Sequence, residues 1–395
     1  MKTQHAAGLA GLALVALAPT AHAVSITKED VTLDITGIVN GYFVYRTSEV
    51  PGSPKISNSG VSNGLLPGWV NFVFTTKAGG LDLKAHIGLA PGINDSSSII
   101  GLPSTVGNGA GAIPGATSPY SQIDTRANYL SFGNASMGTI KLGRDIGIFG
   151  TQVILSDMTL LGVGGTSNAA QPFNTTFGMI GHGYMYTGFQ AQVAYASPTF
   201  SGAQFQVGLF QPKQFSGDQT NTPGLQAGVT FGAGPAKLWG SVVSQKTECR
   251  SAPCASGAGY TANGFELGGK VGLGAAELLA YGFSAKGLGL STVGAQFFGG
   301  ADAAGNKTKS DGYLLQATYK LGDTKLGVNY GENRDKNGLL GSGNQQKNKS
   351  YTLGVYHSLN KYLTLTGEFN NEKKPGVVFL GEKVNTFSLG AIAFF

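Results

Sequence analysis

The stretch Val31-Thr32-Leu33-Asp34-Ile35-Thr36-Gly37-Ile38-Val39-Asn40-Gly41-Tyr42-Phe43-Val44-Tyr45-Arg46 decides the fold class. Its odd positions carry Leu33, Ile35, Val39, Phe43 and Tyr45, while its even positions include Thr32, Asp34, Thr36, Asn40 and Arg46. Period two is strand geometry, because successive side chains of a strand point to opposite faces. The run is longer than the roughly 10 residues a tilted strand needs to cross a bilayer, with one face fit for lipid and the other for water.

The alternation returns in Leu81, Leu83, Ala85 and Ile87 against Asp82, Lys84 and His86, and in Phe205, Val207 and Leu209 against Gln204, Gln206 and Gly208. It recurs with Leu225 to Phe231, Phe265 to Leu273, Tyr313 to Tyr319, and finally Phe387, Leu389, Ala391, Ala393 and Phe395. Segments opening near Val31, Trp69, Leu81, Ile123, Thr139, Tyr184, Ala203, Leu225, Ala236, Phe265, Ala276, Tyr313, Thr324, Tyr351, Tyr362 and Val384 give about sixteen strands. Short Gly/Asn/Asp/Pro turns at 77–80, 134–138, 232–235 and 321–324 alternate with long connections, roughly 47–67, 91–122, 145–183, 246–264, 286–311 and 333–350.

Composition agrees. Glycine supplies 63 of 395 residues, charged residues only 12% and hydrophobic residues 41%. Soluble domains carry about 25% charge, and a disordered chain would be less apolar. Past the first twenty-odd positions there is no uninterrupted apolar run of the ~18 residues a membrane helix needs, which leaves a closed barrel as the integral-membrane option. The expected fold is therefore all-β: a transmembrane antiparallel β-barrel whose interior is polar and wet, with the long 145–183 connection folded into the pore. A soluble all-β repeat protein would need a separate packed core, which the pattern does not supply.

The chain opens like a secretory signal, with Lys2, an apolar Gly8–Leu17 stretch, Pro19 and the small-residue pattern Ala21-His22-Ala23. Residues 1–23 are thus expected to be cleaved, leaving 24–395 as the barrel domain. In an oxidising compartment Cys249 and Cys254 suit a small loop disulfide, with two free thiols as the alternative. The net charge of +6 is not gathered into Lys/Arg clusters, so nucleic acid is not an expected partner.

Two patches resemble the general, trimeric porins of Gram-negative outer membranes, especially the betaproteobacterial type: Tyr195-Ala196-Ser197-Pro198-Thr199-Phe200-Ser201-Gly202, and Gly138-Thr139-Ile140-Lys141-Leu142-Gly143-Arg144-Asp145. Asp157-Met158-Thr159-Leu160-Leu161-Gly162-Val163-Gly164-Gly165 is similar to the family's constriction loop but lacks its Pro-Glu-Phe portion, and Ala194 stands where many relatives place a pore-wall arginine. The resemblance implies a homotrimer in outer-membrane lipid that passes small hydrophilic solutes and ions, with Phe395 as assembly signal and no cofactor or metal.

Alternation turns Lys77, Lys84, Lys141, Lys237, Lys270 and Lys325 toward water, against Asp34, Asp82, Glu266 and Glu368. The resemblance puts Arg144 on the constriction wall, although alternation groups it with Ile140 and Leu142; charge facing lipid is costly, which favours the wall. Arg126 shares parity with Leu130 and Phe132; it reaches the wall if the register slips by one, and is otherwise a solvated rim residue. Asp145 and Asp157 remain as the loop's acids. A basic lumen without the loop glutamate leads to an expected preference for anions.

A substrate-selective channel and an adhesion or structural barrel are the alternatives. Enzyme chemistry is not expected: Gly60-Val61-Ser62-Asn63-Gly64 fits the hydrolase pattern but lies in a loop rather than between strand and helix, and the five histidines show no metal spacing.

Overall fold

The computed structural model describes residues 24–93, 123–166, 175–186, 188–211, 218–219, 221–249, 259–290, 300–301, 305–338, 345–374 and 382–395. The export signal at 1–23 and Cys254 fall outside them. A hairpin of β1 (Val24–Lys28) and β2 (Val31–Glu49) comes first, followed by β3 (Ile56–Ser62), β4 (Trp69–Ala78), β5 (Leu81–Pro91), β6 (Ile123–Asn134) and β7 (Gly138–Ile146). Past a long inner segment lie β8 (Phe189–Ala196), β9 (Ala203–Phe210), the two-residue β10 (Asp218–Gln219), β11 (Gly224–Ala233) and β12 (Ala236–Cys249). The ring ends with β13 (Gly259–Leu273), β14 (Ala276–Lys286), β15 (Lys309–Leu321), β16 (Thr324–Asp335), β17 (Gln346–Ser358), β18 (Leu363–Lys373) and β19 (Lys383–Phe394).

All neighbours are antiparallel, and β19 returns to β2 from Lys383↔Glu49 down to Phe394↔Ile38, which closes the cylinder. β3 and β4 are two pieces of one stave: β2 pairs with β3 over Tyr42–Ser48 and with β4 over Thr32–Ile38. With that pair counted once, and β1 and β10 set aside as short additions, sixteen staves surround the lumen. A closed ring is what bilayer solvent demands, since it leaves no unpaired strand edge in hydrocarbon.

Burial follows parity. Val39, Phe43, Ile87, Phe205, Leu267 and Leu353 are exposed on the outside, whereas Asn40, His86, Glu266 and Thr352 are buried within. The terminal Phe395 completes this outer surface, exchanging backbone hydrogen bonds with Gly37 (Gly37 N to Phe395 O, 2.7 Å; Phe395 N to Gly37 O, 3.0 Å). Its ring lies over Gly37, where any Cβ would collide with it.

Three expectations need correction. The strand expected at Tyr184 begins at Phe189, and Tyr184 itself is fully buried inside the ring. The interior is not uniformly polar: Trp239, Leu279, Tyr281, Phe283 and Leu314 point inward and form an apolar core with Phe149, Val153, Ile154, Met179, Ile180 and Met185 of the inner segment. These staves are apolar on both faces, and alternation is blind to that. The 47–67 connection also holds β3, after which the chain dips inward. Asn40 holds that dip by donating to Leu66 O and Pro67 O (3.0 Å each) and accepting from Gly64 N at 3.0 Å.

Candidate pore interior

The described residues between β7 and β8, 147–166, 175–186 and 188, run inside the cylinder, with a short helix α1 (Thr151–Ile154) and a 3-10 turn at Met158–Leu161. Irregular backbone at membrane depth needs partners for its N–H groups. Here the barrel wall supplies them. Gln226 Oε1 accepts from Ile148 N (2.7 Å) and Phe149 N (2.9 Å), and Glu266 Oε1 accepts from Gly150 N (3.0 Å). Gln316 Oε1 accepts from Met158 N (2.8 Å). Glu368 Oε2 accepts from both Val163 N (2.7 Å) and Gly164 N (2.8 Å), and Glu372 Oε2 from Thr166 N (3.0 Å).

Donors return the favour. Tyr42 Oη donates to Leu161 O (2.8 Å), Asn333 Nδ2 to Tyr184 O (3.1 Å) and Asn348 Nδ2 to Gly181 O (3.1 Å). The inner segment also meets the β3–β4 dip, through Leu65 N to Gly162 O (2.8 Å) and Thr176 N to Gly64 O (3.0 Å). That approach requires glycine at 64, because a Cβ there would strike the Gly162 carbonyl. The clamp therefore runs along the inner wall from β11 round to β2. Ser62, the serine of the hydrolase-like pattern, is buried and donates to Asn63 O.

Asp157 is the hub of the segment rather than a charge in the lumen. It is buried, and its carboxylate accepts from Thr159 N (2.9 Å), Tyr184 Oη (2.9 Å), Met179 N (3.3 Å) and Asn329 Nδ2 (3.4 Å). Burial pushes its pKa up against the pull of these hydrogen bonds. His182, also buried, has Nε2 at 3.5 Å from Glu372 Oε1, and burial drives its pKa down.

The remaining wall, β4 to β8, carries a different chemistry. Lys84 and Lys141 lie in one row across β5, β6 and β7, both opposite Ser131. Their ammonium groups flank the Tyr129 ring at 5.6 Å and 5.3 Å. Lys141 is buried and paired with Asp145 at 2.5 Å, so the two expected wall charges largely cancel, while Lys84 stays half-buried. Ala194 faces inward directly opposite Lys141. Lys77 sits at the short-turn end, paired with Asp82 at 2.7 Å and 79% exposed.

Arg126 does reach the interior, and a β-bulge is the reason. Register with β5 shifts between Gly88 and Leu89, making Arg126 the extra residue and reversing parity beyond it. Its guanidinium lies 5.9 Å from the Trp69 ring centroid and 5.6 Å from that of Phe189, with Asp124 at 3.2 Å. Arg144 stands on an outward position of β7 by register, yet it lines the same inner cavity as Arg126, Trp69, Ile154 and Tyr186. It pairs in register with Asn128 and Ala191, both exposed on the outer face, and its Nε donates to Thr125 O at 2.9 Å. A position at the long-loop end of β7 lets a charge on this face avoid the bilayer centre, where it would cost about 2–4 kcal/mol. Cys249 ends β12 opposite Asp218.

Toward the short-turn end more inward lysines appear. Lys237 and Lys270 stand opposite one another, and Lys320 opposite Lys325. Lys237 Nζ donates to Gln152 Oε1 (2.6 Å), Lys270 pairs with Glu277 (3.1 Å), and Lys325 lies 4.7 Å from the Tyr356 ring centroid. Sequence reasoning counted the lysines but missed the anchoring roles of Gln226, Gln316 and Glu372. The one available signal was a polar residue at an inward position.

A family model described as Gram-negative porin matches residues 9–375. Among curated proteins there is no match. The anion-selective porin of Comamonas acidovorans superposes with a TM-score of 0.65 at 18% identity, covering 93% of this chain and 100% of that one. The outer-membrane channel DcaP of Acinetobacter baumannii gives 0.66 at 17% identity, covering 93% and 99%. The in-vitro folded OmpT of Vibrio cholerae, described as a trimer form, gives 0.54 at 13%, covering 93% and 100%.

Proposed function

The chain belongs to the Gram-negative porin family and is a general diffusion channel of the bacterial outer membrane, not an enzyme; from that premise we propose that it prefers anions. One observation carries the reading: three of the wall acids are spent on backbone, and the partly wetted lysines of the lumen outnumber the partly wetted acids Asp34 and Glu277. Glu266, Glu368 and Glu372 are buried with their oxygens on backbone N–H groups, whereas Lys84, Lys237, Lys270 and Lys325 keep part of their surface in the lumen.

The described parts of the inner segment, 147–166 and 175–186, narrow the lumen, and the passing ion meets Lys84 on the β4–β8 wall and further lysines at the short-turn mouth. One unit charge at roughly 5 Å in water is worth about 0.8 kcal/mol, close to a fourfold change in local concentration. Several such charges bias passage without trapping the ion. The similarity to an anion-selective porin supports the same direction. The Tyr195–Gly202 and Gly138–Asp145 patches support the betaproteobacterial type, and the trimer form of OmpT supports assembly as a homotrimer. Reversal potentials across a planar bilayer in a potassium chloride gradient test the proposal: the sign expected is that of chloride passing faster than potassium, and the opposite sign refutes it.

A further inference from the structure

The inner segment treats its two sides differently. Toward β12, β14 and β15 it is sealed: Phe149, Val153 and Met179 have no exposed surface and pack in one cluster with Trp239, Leu279 and Leu314. Toward β4, β6, β7 and β8 it stands off from the wall, and a cavity of about 300 Å³ is left at the long-loop ends of those strands.

Rings and guanidiniums line this cavity together. Trp69 and Phe189 lie with centroids 5.6 Å apart, Phe177 and Tyr186 come from the inner segment, and Ile154 and Leu160 add aliphatic surface. The Arg126 guanidinium sits 5.9 Å from the Trp69 centroid and 5.6 Å from that of Phe189. Arg144 lines the same space from β7. Burial raises the Tyr186 pKa to about 12, and the charges of Arg126 and Arg144 both pull it back, so the two cations act on one spot. Asp124 is the one acid among the described lining residues, which leaves two cations against one carboxylate. Asp124 and Arg144 are half-buried, and they give the cavity a wet edge.

Size and polarity select the occupant. An apolar protein cavity of about 150 Å³ takes up benzene, so one roughly twice as large holds a ring and a short acid arm. Water is a poor filler for the apolar side, because each buried water needs roughly two to four polar partners. At the wet edge a guanidinium presents a planar pair of N–H donors that matches a carboxylate. An aromatic cation is repelled by the positive balance of the lining, and a small inorganic anion gains nothing from the rings.

We propose that this cavity binds small aromatic carboxylates, with the ring among Trp69, Phe177 and Phe189 and the carboxylate at Arg126 and Arg144. A solute held there is concentrated beside the lumen, at the approach to the narrowing made by the inner segment. The inference rests on the chain being an open pore and not on the order of chloride and potassium. A reversal potential of the opposite sign therefore leaves it standing.

The test uses the full barrel with 3-phenylpropanoate as probe. Saturable interruption of single-channel current in a planar bilayer is one readout, and tryptophan emission is the other, since the chain has only Trp69 and Trp239. The parent should show both responses with one half-saturation concentration. R126Q/R144Q removes the charge-assisted hydrogen bonds and should raise that concentration about 30-fold. Leu155 also lines the cavity, and L155F fills it without touching a charge; a rise of about tenfold is expected, and this variant serves if the double variant fails to fold. W69F should lose the emission change, because Trp239 lies in the sealed cluster. Lys28→Gln, at the short-turn rim, should leave both responses as in the parent. Far-ultraviolet circular dichroism shows that each variant is folded. Half-saturation within about twofold of the parent in both cavity variants overturns the proposal, as does an emission change that survives in W69F. Equal block by acetate would assign the effect to plain anion attraction and equal block by benzylamine to the rings alone, and either overturns the aromatic-carboxylate assignment. A channel that opens normally and ignores the probe sinks the inference while leaving the porin reading intact.

Discussion

The inner wall has two sectors built from the same alternating pattern, and they use their inward residues in opposite ways. From β11 round to β2, inward carboxylates and carboxamides are anchors: Glu266, Glu368, Glu372, Gln226 and Gln316 each hold backbone N–H groups of the inner segment. From β4 to β8 no such clamp exists among the described contacts, and the inward polar side chains include Lys84, His86, Lys141 and Asp145. Charge thus has two fates inside one cylinder. Where it meets folded backbone it becomes structure; in the other sector His86, Lys141 and Asp145 are buried and Lys84 is left partly exposed to the lumen.

The strongest way to break that division is to remove an anchor. Glu368→Ala leaves Val163 N, Gly164 N and the Tyr356 hydroxyl without their acceptor. Orphaned buried polar groups cost about 1–3 kcal/mol each, so a loss of about 3–5 kcal/mol is expected, read as a lowered thermal midpoint and greater open-channel current noise. Glu368→Gln keeps a carbonyl acceptor and should recover much of the loss. If Glu368→Ala leaves both readouts unchanged, the clamp does not hold the segment.

The open sector is probed by reversing a charge. Lys84→Glu changes the wall by two units at one position, which at roughly 5 Å in water is about 1.7 kcal/mol, an order of magnitude in relative ion preference. The reversal potential should move toward cations at low salt and converge with the parent at high salt, where screening is short-ranged. Lys77→Glu, at a fully wetted turn, should shift it far less. Equal shifts for the two would remove the distinction between a lumen residue and a rim residue.

Parity made the barrel legible in the sequence, and parity also marks where legibility ended. Leu33, Ile35, Val39 and Phe43 report the lipid face because a strand in a bilayer has no other way to satisfy both solvents. Arg126 could not be placed by counting, because one extra residue at the Gly88/Leu89 bulge reverses every position beyond it. Arg144 shows the limit of the count from the other side: parity puts its position outside, while its place at the strand end lets it line the cavity beside Arg126. The inward Tyr281, Phe283 and Leu314 broke the polar-interior expectation because their partners lie far along the chain, on a segment whose path no local pattern encodes. The same path decides that Glu266 and Glu368 are anchors, although as inward acids they look no different in sequence from Asp34.

Arg126 gives a smaller effect that sharpens the boundary between sectors. Arg126→Ala removes a guanidinium from the Trp69 and Phe189 rings and leaves Asp124 without that partner. Cation–π contacts are worth about 0.5–2 kcal/mol, so stability should fall by about 1–2 kcal/mol while the reversal potential stays near the parent's. A large change in selectivity with unchanged stability would instead make Arg126 a residue of the ion path.

The smallest expected effect concerns acid. Burial lowers the His182 pKa in the folded chain below its unfolded value near 6.5. Between those two values the unfolded chain binds a proton that the folded chain refuses, so stability falls as pH drops through about 6.5 and levels off only below the folded pKa. Glu372, whose Oε1 lies 3.5 Å from the ring, opposes this by favouring the charged imidazole, but burial is the larger cause. Asp157 pulls the other way at lower pH, since its carboxyl pKa is raised in the fold. Comparing the parent with His182→Gln separates the two: the parent's thermal midpoint should drop more between pH 7.5 and 5.5 than the variant's. Parallel curves would mean that His182 takes up its proton in the folded state as readily as in the unfolded one, and that the anchored sector tolerates a charge at its centre.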